Sequence, residues 1–177
     1  MEFISIKNID NLDFAKKVYN SSFPENERRD FSLIPKLITQ EQGAFDFMVI
    51  EDNSKPIGIL GIWEFEDFIF IEHIAVEKSQ RNKSYGKNIM NYLINLYSKP
   101  IVLEVEPPKD KDSIRRIEFY SLLGFNIADI DYLQPPYAKN NPMLEMKLLI
   151  YNRLNSQELN LKEVINTIYS RVYNFNH

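Results

Sequence analysis

Residues 2–9, EFISIKNI, alternate apolar and polar positions as an edge strand does. The stretch NLDFAKKVYNSSF (11–23) changes to helical spacing, with Leu12, Ala15, Val18 and Tyr19 on one side. Pro24 marks a turn, and beyond the ENERRD run a second helical pattern is predicted over 27–41, ending near Gly43. Three strands are expected next. FDFMVIED (45–52) and IGILGIWEF (57–65) flank a turn at Asn53 to Pro56 and read as a hairpin. Glu66 and Asp67 make the following turn, and FIFIEHIAV (68–76) is so continuously apolar that both its faces must be covered. An antiparallel meander follows from these three.

The period returns to that of a helix over 84–98, where Tyr85, Ile89, Met90, Leu93, Ile94 and Tyr97 form a stripe. IVLEVE (101–106) is a strand that Pro107 and Pro108 stop. A helix capped by Asp112 or Ser113 is predicted to about Leu123, with Gly124 as its left-handed C-terminal residue. NIADIDYL (126–133) and MLEMKLLIY (143–151) are two further strands around the loop QPPYAKNNP. The order β-α-α-β-β-β-α-β-α-β-β predicts a mixed α+β domain over 1–151, with a mostly antiparallel sheet flanked by helices. Residues 152–177 form a C-terminal helical extension: Asn160 is an N-cap with Glu163 three residues on, and Leu161, Val164, Ile165, Ile168 and Val172 mark one face. That face packs either on its own domain or on a second copy, as a homodimer.

Composition narrows the chemistry. A chain of 177 residues suits one domain of about 150 with an appendage. The net charge of −4 speaks against a nucleic-acid partner, which a basic domain would announce. Zero cysteines exclude a disulfide framework, thiolate nucleophiles and cysteine zinc sites, and histidine only at 73 and 177 makes a multi-histidine metal site untenable. No run approaches the roughly 18 apolar residues of a membrane span, and the acidic N-terminus does not read as a signal peptide. No metal, no membrane and a cytoplasmic location are the expectations.

The junction IEHIAVEKSQRNKSYGKNIMNYL (71–93) carries the strongest chemical signal. A buried strand runs into a loop with Lys78, Arg81, Lys83 and Lys87, relieved by Asn82, Ser84 and Gly86, and then into a long helix. Free N–H groups at a helix N-terminus bind phosphate, and the cations would add to that. A solvated basic turn is the alternative. Neither GxxxxGK[ST] nor GxGxxG after a first strand is present.

Arg81-Asn82-Lys83-Ser84-Tyr85-Gly86 resembles motif A of the GNAT superfamily of N-acetyltransferases, [QR]-x-x-G-x-[GA], with Ser84 standing where the first glycine is expected. A positive φ costs more at serine than at glycine. IEFYSLLGF (117–125) resembles the Y-x-x-x-G-F element of motif B, with Tyr120, Gly124 and Phe125, and the element order is similar to that family's over about 1–150. The resemblance implies that Arg81, Asn82, Lys83, Ser84, Tyr85 and Gly86, with the cation Lys87 beside them, hold the pyrophosphate of acetyl-CoA. It implies that Ile74, Ala75 and Val76 pair with the pantetheine arm, and that Tyr120 is the general acid to the departing thiolate; a core aromatic is its alternative reading. The implied reaction is direct attack of a primary amine, of a small molecule or a peptide, on the thioester. A non-catalytic module that binds CoA or a protein on the same fold is the alternative function.

Such a transfer needs a group to accept the amine's proton. Glu104 and Glu72 are the candidates, each a carboxylate in an apolar strand where its pKa is expected to rise. Leu103-Glu104-Val105 resembles the L-E-V segment that carries a proposed base in the branch acting on ribosomal-protein N-termini, so Glu104 is favoured over Glu72. Solvent or an ion pair with Arg115 or Arg116 is the alternative fate of both. By alternation Glu72 shares a face with Phe70, Ile74 and Val76, and His73 points the opposite way as a core or edge residue. Arg115 and Arg116 reach either a CoA phosphate or a surface ion pair. Glu64, Glu66, Asp67, Glu72, Glu104 and Glu106 are expected to cluster on strand ends and attract a cationic amine. The loop 132–142, with Tyr132 and Tyr137, is expected to rim the acceptor pocket.

Overall fold

The computed structural model describes residues 1–9, 12–41, 43–138, 141–153 and 159–175. The strands are β1 (Glu2–Ser5), β2 (Phe45–Asp52), β3 (Lys55–Glu64), β4 (Ile69–Val76), β5 (Ile101–Val105), β6 (Asn126–Ile127), β7 (Tyr132–Gln134) and β8 (Leu144–Tyr151). They form a sheet in the order β1-β2-β3-β4-β5-β8-β6, with β7 also on β8, antiparallel throughout except at β4–β5. The helices are α1 (Asp13–Ser22), α2 (Ile34–Gln40), α3 (Tyr85–Leu96), α4 (Lys111–Ser121) and α5 (Leu161–Thr167).

Period-two alternation divides the apolar side chains between two cores. On one face Phe47, Ile59, Trp63 and Phe70 meet Tyr19 of α1, Ile38 of α2 and Val164 of α5. On the other Leu60, Ile69 and Leu103 meet Ile89, Met90 and Leu93 of α3 and Tyr120 of α4. This is the mixed α+β, mostly antiparallel arrangement that the pattern of the chain predicts.

Several boundaries move. The helix expected over 27–41 is confined to 34–40, preceded by single 3-10 turns at Glu25–Glu27 and Phe31–Leu33. Asp30 accepts from the Ser32 amide and Pro35 sits in the first turn, so the helix starts there, whereas the charged residues before it offer no apolar face. The strand expected over 2–9 stops at Ser5. The strand expected over 126–133 is two short pieces, β6 and β7, both on β8. The cap of α4 is Asp110 instead of Asp112 or Ser113: its carboxylate accepts from both of their amides, and the Ser113 hydroxyl accepts from the Asp110 amide. Gly124 has φ +91, the left-handed terminus expected of it.

Asn160 caps α5 by accepting from the Lys162 amide, and the helix then widens into a π turn over Ile168–Val172. Val164, Ile168, Tyr169, Val172 and Tyr173 are buried in the core on the α1 side of the sheet. Residues 154–158, which lead into it, lie outside the described residues.

β4 carries a bulge. Ile71 pairs with Ile62 and His73 with Gly61, which leaves Glu72 as an extra residue and shifts the alternation by one. The side chains of Phe70, Glu72, His73 and Ala75 all turn to the α1 side, while Ile71, Ile74 and Val76 turn to the other. Glu72 therefore shares a face with Phe70 but not with Ile74 and Val76, and His73 is not opposite it: the two side chains come within 3.8 Å. Unbroken alternation could not anticipate this, because the extra residue is a property of the pairing.

Candidate active site

β4 and β5 pair over three residues only, Ile69 to Ile71 against Ile101 to Leu103. Beyond them β4 stays on β3 as far as Val76 opposite Gly58, while β5 stays on β8 as far as Val105 opposite Lys147. The two central strands thus splay apart and, among the described residues, leave the facing edge of β4 without a partner strand. A cleft of about 590 Å³ opens there, with Glu72 and Glu104 one residue past the last pair, Ile74, Ala75 and Val76 along one wall, and Phe119 and Tyr120 of α4 beside them.

Glu104 is held by three donors. The Tyr132 hydroxyl donates to Oε1, and Gln134 Nε2 and the Tyr173 hydroxyl donate to Oε2 at 2.9 and 2.7 Å. A carboxylate has about four lone-pair positions, so one remains for a further proton. Burial pushes its pKa up, hydrogen bonds from Tyr132 and Tyr173 oppose this, the charge of Glu72 adds to the rise, and the result is about 7. A group so placed accepts protons near neutrality.

Glu72 is different. Its side chain is 1% exposed and its Oε1 accepts from Arg29 Nη2 at 2.5 Å, Arg29 Nε at 3.2 Å and the Tyr137 hydroxyl at 2.9 Å. Trp63 Nε1 donates to Oε2 at 2.7 Å. Burial pushes this pKa up, but the charges of Arg29 and His73 and the bonds from Arg29 and Trp63 outweigh it and hold it below 4.5. A carboxylate ion-paired and hydrogen-bonded in this way is an anchor. His73 lies 3% exposed between the rings of Tyr19 and Phe23, and burial lowers its pKa to about 4, so it is neutral at pH 7.

Tyr120 is 7% exposed, lines the cleft, and has its pKa raised to about 12 by burial, so it stays protonated at any ordinary pH. At the mouth Ser84 precedes α3 with φ +59 and ψ 8, and Asn82 also has a positive φ of 62. The serine in glycine's place thus takes the left-handed conformation. The first amide bonded within the helix is that of Asn88, to Ser84 O at 3.0 Å, so the amides of Tyr85, Gly86 and Lys87 have no carbonyl one turn back. Lys78, Lys83 and Lys87 are exposed, and Arg81 lines the cleft while donating from Nε to Val76 O at 3.2 Å.

Of the six acids expected to gather, Glu72, Glu104 and Glu106 line the cleft. Glu64 pairs instead with Lys99 at 3.2 Å, and Glu66 and Asp67 sit in the β3–β4 turn at the far end of the strands, because the antiparallel hairpin carries that turn away from the splay. Arg116 pairs with Glu106, and Arg115 lines the cleft. Tyr132 and Tyr137 are not loose rim residues: each is tied to a buried carboxylate. Lys139 and Asn140 of that loop lie outside the described residues. Arg29, Trp63 and Gln134 escape sequence reasoning altogether. Only Tyr173 carried a sign, one helical turn from Tyr169 on the C-terminal segment. Among the described residues, no three potential metal-ligating side chains come together and no helix is long and apolar enough to cross a membrane.

Residues 6–125 match the sequence model of the acetyltransferase (GNAT) family. YjbC of Bacillus subtilis (strain 168), an inferred acetyltransferase, is 30% identical over 156 residues, spanning 86% of this chain and 78% of that protein. An inferred GNAT-family acetyltransferase of Bacteroides thetaiotaomicron superposes with a TM-score of 0.89 at 31% identity, over 99% of this chain and 100% of the other. The ribosomal-protein-S18-alanine N-acetyltransferase of Escherichia coli shares the fold, with a TM-score of 0.58 at 19% identity over 84% of this chain and 91% of its own.

Proposed function

This chain belongs to the GNAT family of acetyltransferases, and on that footing we propose that it moves an acetyl group from acetyl-CoA to a primary amine of a small molecule or peptide. The amine nitrogen attacks the thioester carbon directly, and the carbon–sulfur bond breaks. Glu104 takes a proton from the nitrogen and Tyr120 gives one to the departing sulfur, after which solvent restores both groups. The absence of cysteine from the chain is in keeping with direct transfer over a thiol-linked intermediate.

One observation carries this reading: a buried carboxylate held by three neutral donors, with one lone-pair position to spare, stands in the cleft where the two central strands part. The remaining parts fit the co-substrate. The unpartnered edge of β4 at Ile74 to Val76 suits the amide-bearing pantetheine arm, as an added strand would. The unbonded amides of Tyr85, Gly86 and Lys87, with Arg81, Asn82, Lys83 and Ser84 in the loop before them, suit its pyrophosphate.

Thermal unfolding with and without acetyl-CoA, followed by thiol release against a panel of amines, tests the proposal. Stabilisation and amine-dependent thiol release are expected. No stabilisation by acetyl-CoA overturns the reading, and stabilisation with no release from any amine favours a non-catalytic binding module.

A further inference from the structure

We propose that Tyr173, carried on the C-terminal segment beyond the 6–125 region that the family shares, is a positioning residue for Glu104, its hydroxyl orienting the carboxylate toward the acceptor's proton. The inference rests on the reading of Glu104 as the base.

The geometry leaves the hydroxyl one role. Gln134 Nε2 donates into Tyr173 Oη at 2.7 Å as well as into Glu104 Oε2 at 2.9 Å, so the phenolic oxygen is already an acceptor. Its own proton then goes to Glu104 Oε2, 2.7 Å away. Burial, with the charge of Glu104 next, raises the Tyr173 pKa well above 10, which keeps that proton in place.

The segment is pinned on both sides of this contact. Arg29 Nη2 donates to Val172 O at 3.2 Å while holding Glu72, and Tyr169 donates to Leu133 O at 2.5 Å, in the strand that also bears Tyr132 and Gln134. The Tyr173 ring packs on Tyr137 at 4.9 Å between centroids. One arginine therefore fixes both the anchoring carboxylate and the peptide that delivers the tyrosine. Among the charged or titratable groups around Glu104 are Tyr132 from β7, Glu72 from β4, Tyr137 from the loop, and Tyr169 and Tyr173 from the C-terminal segment, while Glu106 and, from α4, Arg115 and Arg116 line the same cleft. Without the Tyr173 hydroxyl, Oε2 keeps only the Gln134 donor, and the ionised form loses a bond that the neutral form needs less.

The experiment compares Tyr173→Phe, Glu104→Gln and the double variant in kcat/KM from pH 5 to 9. A hydrogen bond to a charged group, worth about 1.5 kcal/mol, corresponds to roughly one pH unit. Tyr173→Phe should thus move the acidic limb up by about one unit and lower kcat at pH 7 about fivefold, with KM for acetyl-CoA within about twofold of wild type. In the Glu104→Gln background the same substitution should change nothing further, which a merely structural tyrosine would not obey. An unmoved limb in Tyr173→Phe, or an equal loss in both backgrounds, overturns the role of Tyr173 alone. A wild-type limb in Glu104→Gln removes the base itself and this proposal with it.

Discussion

Glu72 and Glu104 stand one residue past the same strand pair, Ile71 opposite Leu103, and their protons are driven in opposite directions. Glu72 meets a guanidinium and is held below its ordinary value, whereas among the described residues Glu104 accepts from hydroxyls and an amide and rises to about 7. Neutral donors orient a carboxylate without cancelling the cost of burying its charge, which fits the proposed division into an ion-paired anchor and a proton acceptor.

With Glu104 as the proposed base, the rate should follow its ionised form. Activity should fall as pH drops through about 7, and Glu104→Gln should lower kcat by about 10² to 10⁴ and abolish that limb. Steady-state rates against pH with saturating acetyl-CoA measure both.

Stability should change with pH in the opposite sense. The folded pKa of Glu104 lies above its unfolded value near 4.5, so the native state holds its proton longer; this contribution is full below pH 4.5 and is lost as pH rises through about 7. Glu104→Gln should therefore gain about 2 kcal/mol on wild type between pH 5 and pH 8, allowing for partial exposure to the cleft. Urea unfolding at the two pH values reads the difference.

For Glu72 the sign is reversed, since its folded pKa is depressed: its contribution is present above pH 4.5 and disappears as pH falls through the lowered value. Removing its partner is the sharper test. Arg29→Met strands a buried carboxylate and should cost about 3 to 5 kcal/mol, and adding Glu72→Gln should recover most of that. Urea midpoints of the single and double variants decide it.

Tyr120→Phe should lower kcat by at least about tenfold with little change in KM for acetyl-CoA, because the ring still packs and only the proton donor is gone. With the phenol at about 12, the wild-type kcat should show no alkaline limb below pH 10.

Ser84 holds φ +59 with no side-chain cap to repay the strain. Ser84→Gly should raise the unfolding temperature by about 2 to 4 °C, the equivalent of about 1 kcal/mol in a chain of this size. A lowered melting temperature, read by calorimetry, would contradict the strain argument.

The amino-acid sequence by itself determined the element order as far as α4, the two apolar faces of the sheet and the basic strand-to-helix junction, because these are written in local periodicity and short spacings. It also marked Glu104, Glu72 and Tyr120 as chemical candidates. It could not tell which carboxylate was free. That was decided by partners 28 to 69 residues away along the chain, such as Tyr132, Gln134 and Tyr173 on Glu104, and Arg29 and Tyr137 on Glu72. The bulge that brings Glu72 and His73 to one face belongs to the β3–β4 register, and the cleft exists because β4 and β5 part after three pairs. Register and desolvation are properties of the assembled sheet, and only the tertiary structure could assign them.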